Sequence, residues 1–245
     1  MERTCLSKLS YSVPKLFIIL CLVSLFIAIS DNYVNAFLDD FSAAKLGDAW
    51  KKSPAGLDAS WKVDKGELAF SGSGGWSQMM TGDANWKDYT VECDVKLANL
   101  LEWPGGIRTY VDPNTGGHYA VWVYPLQKFI KLYSGTAWDI NTGLVELGKS
   151  DGFDPKADTY FHLKIVHSGK NIEVWFGENK NTTKKIISAS DSKFTSGLFA
   201  CDGWDKPITF DNVLIAGPGI PRSQGESAVD PSSSLPTLWG SLKKE

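Results

Sequence analysis

Residues 88–97 read DYTVECDVKL, and this stretch decides the fold class. Tyr89, Val91, Cys93, Val95 and Leu97 fall on one face of an extended chain. Thr90, Glu92, Asp94 and Lys96 fall on the other. A period of two marks a half-buried strand, because successive side chains point to opposite sides. Residues 118–124 (HYAVWVY) alternate likewise, setting Tyr119, Val121 and Val123 against His118, Ala120, Trp122 and Tyr124. Residues 161–167 and 171–176 repeat the pattern, and Ser168, Gly169 and Lys170 between them predict a hairpin. His162 and His167 are expected on opposite faces of their strand. No stretch from 37 to 216 carries a convincing helical period. Turn residues such as Asp64-Lys65-Gly66, Asp112-Pro113-Asn114 and Gly116-Gly117 punctuate the chain. The pattern predicts about eleven to thirteen short strands. With no helix to cover a parallel sheet, the economical fold is all-β, two antiparallel sheets packed face to face.

The flanks differ from this body. Arg3, Lys8 and Lys15 precede an apolar run at residues 16–29, too short for a comfortable membrane span and suited to a signal-peptide core. Val34-Asn35-Ala36 offers small residues at a cleavage site, so residues 1–36 are expected to be a signal peptide and the product secreted, periplasmic or at the cell surface. Membrane contact is expected only through this segment, if it stays uncleaved. Residues 37–216 form the predicted domain. Residues 217–245 are rich in Gly, Pro and Ser at first and read as a linker and C-terminal tail. Loss of the leader would remove Cys5 and Cys21 and leave Cys93 and Cys201. An exported pair permits one disulfide; two small buried hydrophobes is the alternative.

Composition narrows the partners. The chain has 245 residues, net charge −3 and a pI near 5.7, which argues against a nucleic-acid groove. It has 10 Trp, costly in a core unless each N–H finds an acceptor, so some rings are expected to face a ligand. No phosphate loop, nucleophile elbow or zinc-type His set is present.

Four landmarks carry a family resemblance. They are Asp39-Asp40-Phe41, then Trp61-Lys62-Val63-Asp64-Lys65-Gly66-Glu67-Leu68, then the strand from Tyr89, and finally Phe210-Asp211-Asn212-Val213-Leu214-Ile215. Their order resembles the concanavalin A-like, laminin-G-like jelly-roll sandwiches, and is most similar to the branch named for 3-keto-disaccharide hydrolases. The resemblance spans about residues 37–216 and implies a jelly-roll topology. That superfamily includes lectins, glycan-binding modules and glycosidases, so the resemblance speaks to fold more than to chemistry. Two motifs depart from it. Pro104-Gly105-Gly106-Ile107-Arg108 lacks the Asn-Ser-Gly of the hydrolase branch. The glucanase pattern Glu-x-Asp-x-x-Glu has Glu92 and Asp94 but Leu97 in third place. Several jelly-roll relatives share a calcium ion between an acid of the first strand and an Asp of the last. Asp40 and Asp211 hold comparable positions, so the resemblance implies a structural Ca2+ there and no other cofactor. Calcium takes six to eight oxygens, and turn or strand-end roles are the alternative for these two acids.

The non-core faces of neighbouring strands suggest the site. Arg108 and Tyr110, then His118, Trp122 and Tyr124, then Phe129, Lys131 and Tyr133, and lastly Trp138, are expected to form an aromatic platform edged by charge if the strands share one sheet. Sugars fit such a surface, with apolar C–H faces on rings and hydroxyls on Arg and carboxylates. Glu92 and Asp94 on the same face would be the carboxyl pair of a glycosidase, with Cα atoms about 6.6 Å apart. The expectation is a secreted carbohydrate-binding sandwich. A hydrolase of glycosidic bonds on the same face, or an adhesive module with a protein partner, are the alternatives.

Overall fold

The computed structural model describes residues 36–56, 61–72, 75–98, 100, 105–221 and 223–224. These fall within the compact unit Asn35–Glu245. The predicted signal segment before Ala36 and the tail beyond Gln224 lie outside the described residues.

In chain order the strands are β1 (Ala36–Asp39), β2 (Lys51–Lys52), β3 (Trp61–Asp64), β4 (Glu67–Phe70), β5 (Trp76–Thr81), β6 (Thr90–Leu97), β7 (Gly105–Val111) and β8 (His118–Tyr124). They continue as β9 (Phe129–Gly135), β10 (Val145–Asp151), β11 (Tyr160–Ser168), β12 (Asn171–Gly177), β13 (Lys184–Ser190), β14 (Leu198–Trp204), β15 (Ile208–Ala216) and β16 (Ser223–Gln224). The nine-stranded sheet runs β13-β12-β11-β6-β15-β1-β16, with β4 also on β15 and β3 on β4. The seven-stranded sheet runs β10-β9-β8-β7-β14-β5-β2. All pairings are antiparallel except β1 with β16.

Alternation explains the core. The odd positions Tyr89 to Leu97 are all buried, as are Tyr119, Val121 and Val123 on the opposing sheet. They meet Leu163, Ile165, Phe199 and Phe210 in one continuous cluster. The β11–β12 hairpin forms as expected, with Gly169 supplying a φ of 56° at its turn. His162 and His167 do lie on opposite faces of β11. His167 enters the core, stacked on Tyr110 at 4.1 Å, and His162 faces outward toward Asp94.

Several expectations change here. Cys93 and Cys201 are both free and buried, one in each sheet. They are core residues and not a disulfide, and burial in the apolar core pushes both thiols up from their ordinary pKa. The sandwich also extends past residue 216. Ile220 is fully buried and β16 lies parallel to Phe37 and Leu38, so an apolar plug closes the core within a segment that lacks alternation. At the other end, Ala36 pairs with Ala216, so the cleavage point expected after it falls one residue into β1.

Candidate functional site

The register places a row of side chains across the outer face of the seven-stranded sheet. Gln78 on β5 lies opposite Asp202 on β14, and Asp202 opposite Gly106 on β7. The row continues through Trp122 on β8 and Lys131 on β9 to Lys149 on β10. The adjacent row is Met80, Ala200, Arg108, Ala120, Tyr133 and Glu146. Gly106 is the gap in this surface. A Cβ there would sit 2.1 Å from the Val121 carbonyl oxygen, so only glycine fits between Asp202 and Trp122.

Asp202 is the hub. Its Oδ2 accepts from Arg108 Nε at 2.7 Å and from Trp122 Nε1 at 2.7 Å. Its Oδ1 accepts from Gln78 Nε2 at 2.8 Å. Arg108 Nη1 donates to the Trp138 carbonyl at 2.9 Å. His118 Nδ1 lies 2.7 Å from the Gly116 carbonyl, which can only accept, so Nδ1 carries the proton and Nε2 presents a lone pair. Burial, together with the Arg108 charge, holds His118 well below its ordinary pKa and therefore neutral. Among the described residues, three buried atoms of this cluster find no hydrogen-bond partner: Gln78 Oε1, Arg108 Nη2 and His118 Nε2. Such atoms are costly unless water or a ligand answers them.

The platform read from sequence is only partly a surface. Arg108, His118 and Trp122 have no exposure, and Tyr133 and Trp138 are nearly closed. Ile140, in the loop after β9, packs with Trp122 and Tyr133, while Trp138 from the same loop covers Val111 and Ala200. Gly116, at φ 77°, leaves no Cβ to block Trp138. Tyr110 is not on this face at all. A bulge sets Thr109 and Tyr110 of β7 against a single residue of β14, and the left-handed φ of 51° at Tyr110 turns its ring into the core. What remains partly open is a rim. Tyr124 tilts on Phe129 at 4.7 Å, and its hydroxyl lies 3.1 Å from that of Tyr133. Lys131 sits 5.1 to 5.9 Å from the rings of Phe129, Tyr133 and Tyr124 and pairs with Glu146 at 2.6 Å. Trp76 and Trp204 face each other in register at the same end of the sheet. A cleft of about 1030 Å3 opens beyond the far edge of the face, where Met80 and Leu198 form part of an apolar wall.

Glu92 and Asp94 lie elsewhere. β6 belongs to the nine-stranded sheet, so both carboxylates sit on the opposite outer face of the sandwich from the aromatic rim. Lys164 pairs with Glu92 at 2.8 Å and Lys180 with it at 2.9 Å. His162 donates to Asp94 at 2.7 Å and lies 3.6 Å from Glu92. The His162 contact, with the lysines, holds Glu92 well below the usual carboxylate range. Burial pushes Asp94 up, but bonds from His162 and Asn212 outweigh it and the net shift is downward. Neither acid is poised to donate a proton, which glycoside hydrolysis requires of one of the two. Asp211 lies opposite Asp94 across β6 and β15, and burial raises it to about 6. Asp40 accepts from the Ser42 N–H in the turn after β1. Among the described residues no group of three or more His, Cys, Asp or Glu is placed to share a metal ion.

Asp202 and Gln78 were missed in the sequence. Their signal was a polar residue inside an apolar strand. Residues 198–204 (LFACDGW) put Ala200, Asp202 and Trp204 on one face, and residues 76–81 (WSQMMT) bury Gln78 among apolar neighbours.

The two sheets pack face to face as a jelly-roll β-sandwich. No family model matches the sequence, and no curated protein matches it. Among solved structures the chain is similar to the carbohydrate binding module CBM66 from Bacillus subtilis. The TM-score is 0.55 at 17% identity, over 70% of this chain and 97% of that one. It is also similar to the GH43 protein BlXynB from Bacillus licheniformis, with a TM-score of 0.54 at 16% identity over 74% of this chain and 39% of that one. A xylan beta-1,4-xylosidase from Bacillus halodurans matches equally, at 0.54 and 16%, over 74% and 39%. At these identities the likeness establishes the fold.

Proposed function

We propose that this chain is an exported carbohydrate-binding β-sandwich that takes its ligand on the outer face of the seven-stranded sheet. The observation that carries the reading is the partly open rim of Tyr124, Phe129, Trp76 and Trp204 at one end of the face, next to the buried Asp202 cluster whose Gln78 Oε1, Arg108 Nη2 and His118 Nε2 have no partner among the described residues. Buried donors and acceptors of this kind hold ordered water, through which a hydroxyl-rich ring can be bound. Tyr124, Phe129, Trp76 and Trp204 supply apolar faces for the C–H side of a sugar. The likeness to a carbohydrate binding module, a GH43 protein and a xylan beta-1,4-xylosidase supports the same reading. Calcium between Asp40 and Asp211 stands as a proposal from the family resemblance alone.

The test is a glycan-array screen of the full chain, with and without EDTA, repeated with Tyr124→Ala. Retention of one glycan class, weakened in the variant, is the expected result. Loss of retention in EDTA would add calcium. No retention of any glycan would move the function to a protein partner.

A further inference from the structure

The outward-facing cations of β7 to β10 and β14 are all matched by a carboxylate. Arg108 Nε lies 2.7 Å from Asp202, Lys131 2.6 Å from Glu146 and Lys149 2.6 Å from Asp151. His118, the remaining basic side chain there, is neutral. A carboxylate or sulfate brought to these strands would lose hydration and meet, among the described residues, only cations already neutralised by a carboxylate.

The unpartnered atoms have a matching character. Arg108 Nη2 can only donate, whereas Gln78 Oε1 and the lone pair of His118 Nε2 can only accept. All three atoms are buried, so ordered water, which donates and accepts at once, is what can answer both kinds. A ligand hydroxyl can donate to or accept from such water, whereas a carboxylate or sulfate oxygen only accepts. At the rim the Lys131–Glu146 pair again presents a donor beside an acceptor, at 21% and 42% side-chain exposure, within reach of a ligand seated on Tyr124 and Phe129.

We infer that the site selects uncharged glycans and discriminates against uronates and sulfated sugars, with Asp202 and Glu146 as the residues that set this selectivity. The inference rests on the carbohydrate-binding reading above and adds to it the charge class of the ligand.

The experiment compares matched oligosaccharides that differ only in oxidation at C6, by titration calorimetry on the full chain at low salt. Suitable pairs are β-1,4-mannohexaose with its mannuronate counterpart and cellohexaose with β-1,4-glucuronate hexamer. At least one neutral member is expected to bind about tenfold or more tightly than its acidic partner. Glu146→Gln frees the Lys131 charge at the partly open rim, where the fold does not depend on it. This variant is expected to bind the acidic member about two- to fivefold better, a rim-charge effect that is lost on adding salt. Equal or tighter binding of an acidic member by the parent protein would overturn the inference and leave the carbohydrate reading standing. An unchanged preference in Glu146→Gln would overturn the role given to the ion pairs. Binding of no member of the panel would overturn both the reading and the inference.

Discussion

His167 should make the fold acid-sensitive by an amount that can be worked out. Its ring is buried against Tyr89, Tyr110 and Tyr119, with one ring nitrogen 2.8 Å from Thr109 Oγ1. Burial lowers its pKa from 6.5 to about 3. The folded state therefore binds fewer protons than the unfolded state between those values, and stability falls as pH drops through that window. Each pH unit costs about 1.4 kcal/mol, so acidification from pH 7 to pH 4 should remove about 3 kcal/mol through this residue. That is a large share of the 5–15 kcal/mol of a typical domain. His167→Gln keeps a partner for Thr109 and removes the titration. Urea unfolding followed by Trp fluorescence, for parent and variant across this pH range, isolates the effect, because His118 and the carboxylates cancel in the difference. The variant is expected to start less stable at pH 7, having lost the Tyr110 stack, and to lose about 3 kcal/mol less than the parent by pH 4. Parallel pH curves for the two proteins would refute the reasoning.

Other outcomes follow from the same geometry. Asp202→Ala should cost about 3–5 kcal/mol in denaturant unfolding, because it leaves Arg108 as a buried unpaired charge and strips Trp122 of its acceptor. Tyr124→Ala, at the partly open rim, should weaken glycan affinity about tenfold while moving the unfolding midpoint little, checked by calorimetry beside a melt. Glu92→Gln and Asp94→Asn should leave glycan binding unchanged, since both lie on the opposite sheet; a loss of binding in either would contradict this placement. The contacts with Asp94 and Glu92 raise the pKa of His162 against the effect of burial, so the stability it adds is complete below pH 6.5 and fades as pH rises through the elevated value. His162→Gln should flatten that alkaline loss in unfolding curves above pH 7.

Much of the architecture could be read directly from residue order. The alternation at 88–97 assigns Tyr89, Val91, Cys93, Val95 and Leu97 to the core, and all are buried. Gly169 marks the expected hairpin, which forms between β11 and β12. The two-residue strands β2 and β16 escaped, because two residues carry no period. Tyr110 was misplaced because alternation assumes regular pairing, whereas one extra residue in β7 reverses the facing of every side chain beyond it. The site was legible by residue type more than by role. Arg108, His118, Trp122, Tyr133 and Trp138 do gather on one face, but as a covered polar core with a narrow aromatic rim. Asp202 was not legible as the partner of Arg108 and Gln78, since it lies 94 and 124 residues downstream of them.

What the chain order determined by itself was local: where strands run, which side chains share a face, and where turns interrupt them. These depend on the two-residue repeat of an extended backbone and on the φ preferences of Gly, Asn and Asp. Which strands become neighbours was decided only in three dimensions. The packing of two sheets sent β6 to one and β7 to β9 to the other, separating Glu92 and Asp94 from the aromatic rim. It also brought Asp202 of β14 beside Arg108 of β7 and laid the loop bearing Trp138 over them. Long-range pairing answers to the burial of whole faces and the satisfaction of polar groups far apart in the chain, and no local pattern records either.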